Sequence, residues 1–185
     1  MGANLNNAVL FLVSTLFDLY LWVMILRVLL QIVRADFYNP ISQFIWQVTR
    51  LPVQPLARVV PKWQRVDLAA MLVGFVLACI YMSVLMGLLN QHPSLPVILW
   101  LALWTLVTLT LKLYAFTIFV QAMLSWLGPG TQNPAGSVLW SLNEPLLRPI
   151  RRFLPPIGGL DLSPLFAILA LLVLIRLVPL ASVLR

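Results

Sequence analysis

Residues 68–90 read LAAMLVGFVLACIYMSVLMGLLN, and none of these 23 positions carries a charge. A helix needs about 20 apolar residues to cross a bilayer, because each residue adds ~1.5 Å toward a hydrocarbon thickness of roughly 30 Å. This stretch is therefore predicted to be a transmembrane helix.

Three further apolar stretches of comparable length lie on either side of it. They occupy residues 5–33, 95–127 and 162–183. The whole chain is 62% hydrophobic and 9% charged, which is too apolar for a soluble domain of 185 residues. We therefore predict an all-α membrane protein with four transmembrane helices.

The chain also matches itself when it is shifted by 94 positions. Matches between leucines mean little, but rare residues in the connections also coincide: Asn39 with Asn133, Pro40 with Pro134, Trp46 with Trp140, and Asp67 with Asp161. This pattern predicts two tandem parallel repeats, residues 1–94 and 95–185, each built as helix, amphipathic interfacial loop and helix.

The two long connections, residues 34–67 and 128–161, have an apolar and a polar face at helical spacing. Such segments lie in the membrane interface. Prolines interrupt them, at Pro52 and Pro55 and at Pro145 and Pro149. Because proline removes a helical hydrogen bond, we expect short helical pieces separated by kinks.

The connections carry most of the cations. Short cytoplasmic loops are enriched in Lys and Arg, so both connections are predicted to be cytoplasmic and both termini periplasmic. The arginines then contact anionic lipid headgroups or a membrane or cytoplasmic protein partner, or they serve only to fix the orientation. The candidate contacts are Arg50, Arg58, Arg148, Arg151 and Arg152.

Helix caps are predicted at the ends of the connections. Asn39 and Asn133 each precede a proline, the usual order of an N-cap and first helical residue. Asp67 and Asp161 precede the second span of each repeat, and Ser163 lies at the start of the last one, where they would cap free N–H groups.

Polar residues also occur inside the predicted spans. Asp18 and Lys112 are 94 positions apart and both lie near mid-membrane, where an unpaired charge costs at least ~2.5–3.5 kcal/mol. We therefore expect an ion pair between them. A second polar group lies nearer the cytoplasmic end of the spans and consists of Arg27, Gln31, Gln121 and Ser125. These residues form a polar vestibule, or else Arg27 extends its side chain toward the headgroups.

Several functional classes are disfavoured. The single cysteine, Cys79, and single histidine, His92, leave no internal disulfide and no predicted metal or haem cofactor. No catalytic constellation occurs, so we do not expect an enzyme. The net charge of +7 comes from few cations beside apolar stretches, which favours anionic lipid over nucleic acid.

These motifs resemble the YggT family of YlmG-like membrane proteins. The resemblance rests on LSW at 124–126, NEPLLRPIRR at 143–152 and GGLDLSP at 158–164, with a looser version in the first repeat. Two copies resemble the proteobacterial form, which implies a multi-pass protein of the bacterial inner membrane. Relatives are associated with cell division, envelope organisation, osmotic stress tolerance and, in chloroplasts, assembly of a membrane cytochrome.

The expected function is therefore that of a non-enzymatic inner-membrane scaffold or assembly factor of the cell envelope. It would act through its basic interfacial loops, with a homo-oligomer left open. The alternative is an ion- or osmolyte-handling protein, channel- or transporter-like, that uses the intramembrane polar residues.

Overall fold

The structure, a computed structural model, describes residues 2–60, 66–126, 133–154 and 161–179. These ranges contain six helices: α1 (Gly2–Ile32), α2 (Pro40–Ala57), α3 (Leu68–Leu88), α4 (Leu95–Trp126), α5 (Pro134–Phe153) and α6 (Ser163–Leu177). The prediction of an all-α chain is confirmed.

Within the described ranges, three segments are long and apolar enough to cross a membrane: Asn6–Ile32, Leu68–Leu88 and Leu95–Ser125. They coincide with the first three predicted spans. The fourth apolar helix, α6, has only 15 residues and a length of about 22 Å, which is shorter than the hydrocarbon core. Residues 180–183 of the predicted fourth span lie outside the described residues.

Large apolar side chains cover the outer surface of the apolar helices, including the short helix α6. Phe11 and Leu16 of α1 are 67% and 66% exposed, and Val173 of α6 is 60% exposed. Water-soluble proteins rarely leave contiguous apolar surface of this extent uncovered. The outer surface therefore fits a lipid environment, as expected of a membrane protein.

Helices α1, α3 and α4 pack against one another and form the centre of the fold. Helix α3 contacts both α1 and α4, α1 also contacts α4, and α6 packs on α4. The buried centre of this group is formed by Leu21, Ala78, Met82, Ala102 and Leu109. Helix α2 packs against α1 and α3, α5 packs against α4 and α6, and α2 and α5 contact each other.

One buried contact of the first half is repeated in the second half at positions shifted by 94 residues. Met24 and Val53 are buried together between α1, α2 and α3, and Ile118 and Leu147 are buried together between α4, α5 and α6. The amphipathic helices are thus held to their neighbours by the same pair of positions in each half.

The expectation of short, broken helical pieces in the connections is wrong. Both α2 and α5 are continuous, with Pro52 and Pro55 inside α2 and Pro145 and Pro149 inside α5. Each pair is separated by three or four residues, so the missing N–H groups fall on one side of the helix. Three of these four prolines are exposed, and a helix with such prolines at its surface can bend without breaking.

Candidate functional site

A buried ion pair lies where the end of α1 meets α2 and α3. Arg27 Nη2 is 3.0 Å from Asp67 Oδ2, and the two side chains are only 11% and 6% exposed. Arg27 Nη1 also donates to Thr49 Oγ1 at 2.9 Å. Arg27 therefore does not extend to the headgroups but ties three helices together.

Asp67 has further partners in this cluster. Its Oδ1 accepts a hydrogen bond from Ala70 N at 3.1 Å, which caps α3 as expected. Its own backbone N–H donates to Gln31 Oε1 at 3.2 Å. Sequence reasoning identified Asp67 as a cap and Arg27 as polar, but not that they pair. The sequence did contain an indication of the pair, because Arg27 and Asp67 lie near the same end of two neighbouring predicted spans.

The second half of the chain builds an uncharged cluster at the corresponding positions. Asn143, which is fully buried, donates from Nδ2 to Gln121 Oε1 at 2.8 Å. Its Oδ1 accepts from Thr117 Oγ1 at 2.9 Å. Asn143 and Gln121 correspond to Thr49 and Arg27 of the first half. Sequence reasoning did not assign Asn143 a role.

The predicted polar vestibule is therefore not one site. Arg27 and Gln31 line a cavity of about 350 Å³, together with Arg34, Ser42 and Asp67. Gln121 is instead held by Asn143 of α5, and Ser125 is exposed. The division arises because α2 supplies buried Thr49 to the first cluster and α5 supplies buried Asn143 to the second.

The arginines of α5 differ in their surroundings. Arg151 donates from Nη1 to Glu144 at 2.7 Å and from Nε to Asp161 at 2.8 Å. Within the described part of the chain, no ion pair or side-chain hydrogen bond engages Arg148 or Arg152, and both are exposed. Two of the three clustered arginines are thus available to a partner, whereas Arg151 stabilises the end of its own connection.

Asp161 lies at this junction, just before α6. Burial by itself raises the pKa of its carboxyl, but hydrogen bonds from Ser163 and Arg151 outweigh that effect and hold the pKa below its ordinary value. Asp161 Oδ1 accepts from Ser163 N at 2.9 Å. Ser163, predicted as a cap, is instead the first residue of α6, because Leu162 occupies the N-cap position.

Arg50 and Arg58, the two arginines at α2, differ in their surroundings. Arg50 is 5.3 Å from the ring centroid of Trp46, a cation–π distance, and its Nε donates to Gln54. Arg58 follows the last residue of α2 and is exposed. Both remain accessible at the surface that α2 presents.

Asp18 and Lys112 do not form the expected contact ion pair. The ion pairs among described residues involve Arg27 and Arg151, and none joins Asp18 to Lys112 within 4.0 Å. Asp18 is half-buried beside the hydroxyl of Tyr81, while Lys112 interacts with it electrostatically from an exposed position on α4. The flexible lysine stem allows the ammonium group to stay at the surface.

Asn39 joins α2 to α5. Its Oδ1 accepts from Ile41 N at 2.9 Å, which caps α2. Its Nδ2 donates to Pro134 O at 2.8 Å and to Ser137 Oγ at 2.9 Å, both in α5. Asn133 caps α5 through Ala135 N at 3.0 Å but is exposed.

Asn39→Ala is therefore expected to destabilise the protein more than Asn133→Ala. Loss of the cap alone costs about 1 kcal/mol at either position, and loss of the bonds to α5 adds about 1 kcal/mol at Asn39 only. The free energy of unfolding of both variants can be measured in mixed detergent micelles. Equal losses would contradict a stabilising link between α2 and α5.

A sequence model of the CCB3/YggT family matches residues 6–89 and residues 100–182. An uncharacterized protein of Pseudomonas aeruginosa is 40% identical over 171 residues, which cover 91% of this chain and 86% of the relative. A Vibrio alginolyticus protein is 42% identical over 168 residues, covering 89% and 90%.

The YggT protein of Escherichia coli K12 is 40% identical over 169 residues, which cover 91% of this chain and 87% of the relative. No solved structure matches the chain significantly. The family match extends over most of both halves, including the residues of both polar clusters. The chain therefore belongs to the CCB3/YggT family, as its motifs predicted.

Proposed function

We propose that this protein is a non-enzymatic, multi-pass scaffold of the bacterial inner membrane that acts through α2 and α5. The observation that supports this role is their arrangement. The two amphipathic helices contact each other, and each packs against the spans of its own half. Their outward faces combine cations with exposed aromatic residues, including Trp46, Trp140 and Phe153.

This composition suits the interface of an anionic membrane. Aromatic rings settle at headgroup level, and cations near the surface attract acidic lipids by about 1 kcal/mol each. In this proposal α2 and α5 lie on the cytoplasmic leaflet, with both termini in the periplasm. The cation-free turn at residues 90–94 then faces the periplasm as well.

The proposal includes two tandem repeats and a fourth span. Repetition is supported by the two family matches and by the shared positions of Met24 and Val53 with Ile118 and Leu147. For the fourth span, α6 packs along α4 and is apolar between Ser163 at its start and Arg176 in its last turn. The proposed span covers residues 162–183, of which residues 180–183 lie outside the described residues.

Neutralising the available arginines of α5 tests this function. The double change Arg148→Gln and Arg152→Gln is expected to weaken retention of anionic lipid or of a partner by about thirtyfold, because two surface charges worth about 1 kcal/mol each are lost. Phosphatidylglycerol that copurifies with the full-length protein can be quantified by lipid mass spectrometry. Crosslinking from α5 in native membranes reports on a protein partner.

The control is Arg176→Gln, which removes one exposed arginine from the last turn of α6, outside α2 and α5. It should leave lipid retention and crosslinking near the wild-type level. If the α5 double variant also shows wild-type lipid retention and wild-type crosslinking, the proposed role of the interfacial helices is wrong.

Ion or osmolyte handling is the alternative proposal. It draws on Asp18 and Lys112, which bring charge into the apolar helices. A conducting path would also need the polar residues of both halves to be continuous, whereas Gln121 is engaged by Asn143 and Arg27 by Asp67. Absence of ion flux through proteoliposomes that contain the wild-type protein would remove this alternative.

A further inference from the structure

The cavity of about 350 Å³ lies between the end of α1, the start of α2 and the residue that precedes α3. Its volume lies in the range of about 300–1,000 Å³ that is usual for small-molecule sites. Because α2 is an amphipathic helix, the cavity would open at the depth of the lipid headgroups. This placement rests on the proposed function of α2 as an interfacial helix.

The polar part of the cavity has an excess of one positive charge. Arg27 and Asp67 neutralise each other at 3.0 Å, which leaves the charge of Arg34. No ion pair or side-chain hydrogen bond involves Arg34 in the described portion of the chain. An anion entering the cavity would therefore meet an uncompensated guanidinium group.

Ser42 supplies a second unused donor. It lines the cavity and is 8% exposed, and its Oγ has no hydrogen-bond partner among the described residues. A buried hydroxyl without a partner is unfavourable unless a ligand or solvent satisfies it. Its position beside the charge of Arg34 favours a ligand with several acceptor oxygens.

The backbone of Arg34 also points to a role for its side chain. Its φ is 57°, in the left-handed region, and the neighbouring Ala35 N–H closes the end of α1 by donating to Leu30 O at 2.9 Å. This position after a helix usually carries glycine, because a side chain is strained there. The corresponding residue in the second half is glycine, Gly128.

The remaining wall of the cavity is apolar and includes Phe37, Ile45 and Trp46. Trp46 is 39% exposed, so its ring lies at the mouth and can contact both the cavity and the bilayer. A ligand that fits this wall and the polar end must be amphiphilic, with an anionic group at one end.

We propose that this cavity binds the phosphate group of one anionic phospholipid, with Arg34 and Ser42 as direct ligands and Trp46 against the glycerol and upper acyl region. Guanidinium and hydroxyl groups form the charge-assisted hydrogen bonds that phosphate oxygens accept. The second half has Gly128 and Gly136 at the corresponding positions, so a single such site per chain is expected.

Arg34→Gly and Ser42→Leu test the site in the full-length protein. Arg34→Gly removes the charge while relieving the backbone, so loss of binding cannot be attributed to unfolding. Ser42→Leu removes the hydroxyl donor and narrows the cavity without changing any charge. Native mass spectrometry with added phosphatidylglycerol or phosphatidylcholine measures the affinity for the first bound lipid.

The wild-type protein should bind its first phosphatidylglycerol about tenfold more tightly than phosphatidylcholine, and both variants should lose that preference. The control is Arg176→Gln, which removes an exposed arginine from the last turn of α6, outside the cavity and outside α2 and α5. It should change the first affinity by less than about twofold, since this charge belongs to neither the cavity nor the proposed lipid-binding helices.

The outcomes separate this site from the proposed function. If Arg34→Gly and Ser42→Leu behave like Arg176→Gln, the cavity site is overturned, although binding along the surfaces of α2 and α5 can persist. If millimolar inorganic phosphate displaces phosphatidylglycerol from the wild-type protein, the phosphate site is supported but its assignment to a lipid is overturned. Loss of lipid retention in the α5 double variant alone bears on the proposed function and not on this site.

Discussion

Arg27→Gln is expected to destabilise the protein by about 3–5 kcal/mol, because it leaves the Asp67 carboxylate buried without its counter-charge. Asp67 is only 6% exposed, so water cannot easily replace the lost guanidinium group. Thr49 loses its hydrogen-bond donor in the same step. Unfolding in mixed detergent micelles, followed by tryptophan fluorescence, measures the free-energy change.

The double variant Arg27→Gln with Asp67→Asn separates the ion pair from the packing around it. Glutamine and asparagine can hydrogen-bond to each other, so the double variant should be more stable than Arg27→Gln alone. Arg176→Gln, on the exposed side of α6, serves as the control and should cost less than about 0.5 kcal/mol. A loss below about 1 kcal/mol for Arg27→Gln would show that the buried pair does not hold α1, α2 and α3 together.

The long helices and the capping residues were predictable from the sequence because both depend on local patterns. An uninterrupted apolar stretch needs no partner to predict a span, and an Asn–Pro pair positions the start of a helix by itself. The first three spans and the caps at Asn39, Asp67 and Asn133 are therefore found where the sequence places them.

The contacts between helices were not predictable in the same way. Helices α1 and α4 are apolar on all sides, so their sequences do not indicate which face meets a neighbour. Arg27 and Asp67 are 40 positions apart, and only the packing of α3 on α1 brings them together. The same holds for Asn39, whose role as a cap is local but whose bonds to α5 span 95 positions.

Asn143→Ala should cost about 2–4 kcal/mol, because it leaves the Gln121 amide without its buried partner and leaves Thr117 with only the Tyr114 carbonyl as acceptor. Asn143 is fully buried between α4 and α5, and its amide both donates and accepts. A small cavity would add to the loss. The unfolding free energy in mixed micelles again gives the measurement.

Asn143→Thr is the informative companion, since threonine is the residue at the corresponding position of the first half, Thr49. One hydroxyl can donate to Gln121 or accept from Thr117, so we expect about half of the loss seen with alanine. Adding Gln121→Leu to Asn143→Ala removes one of the unsatisfied groups and should recover part of the stability. If the alanine and threonine variants are equally stable, the buried amide contributes through packing alone, and the two halves do not rely on matching polar clusters to hold their interfacial helices.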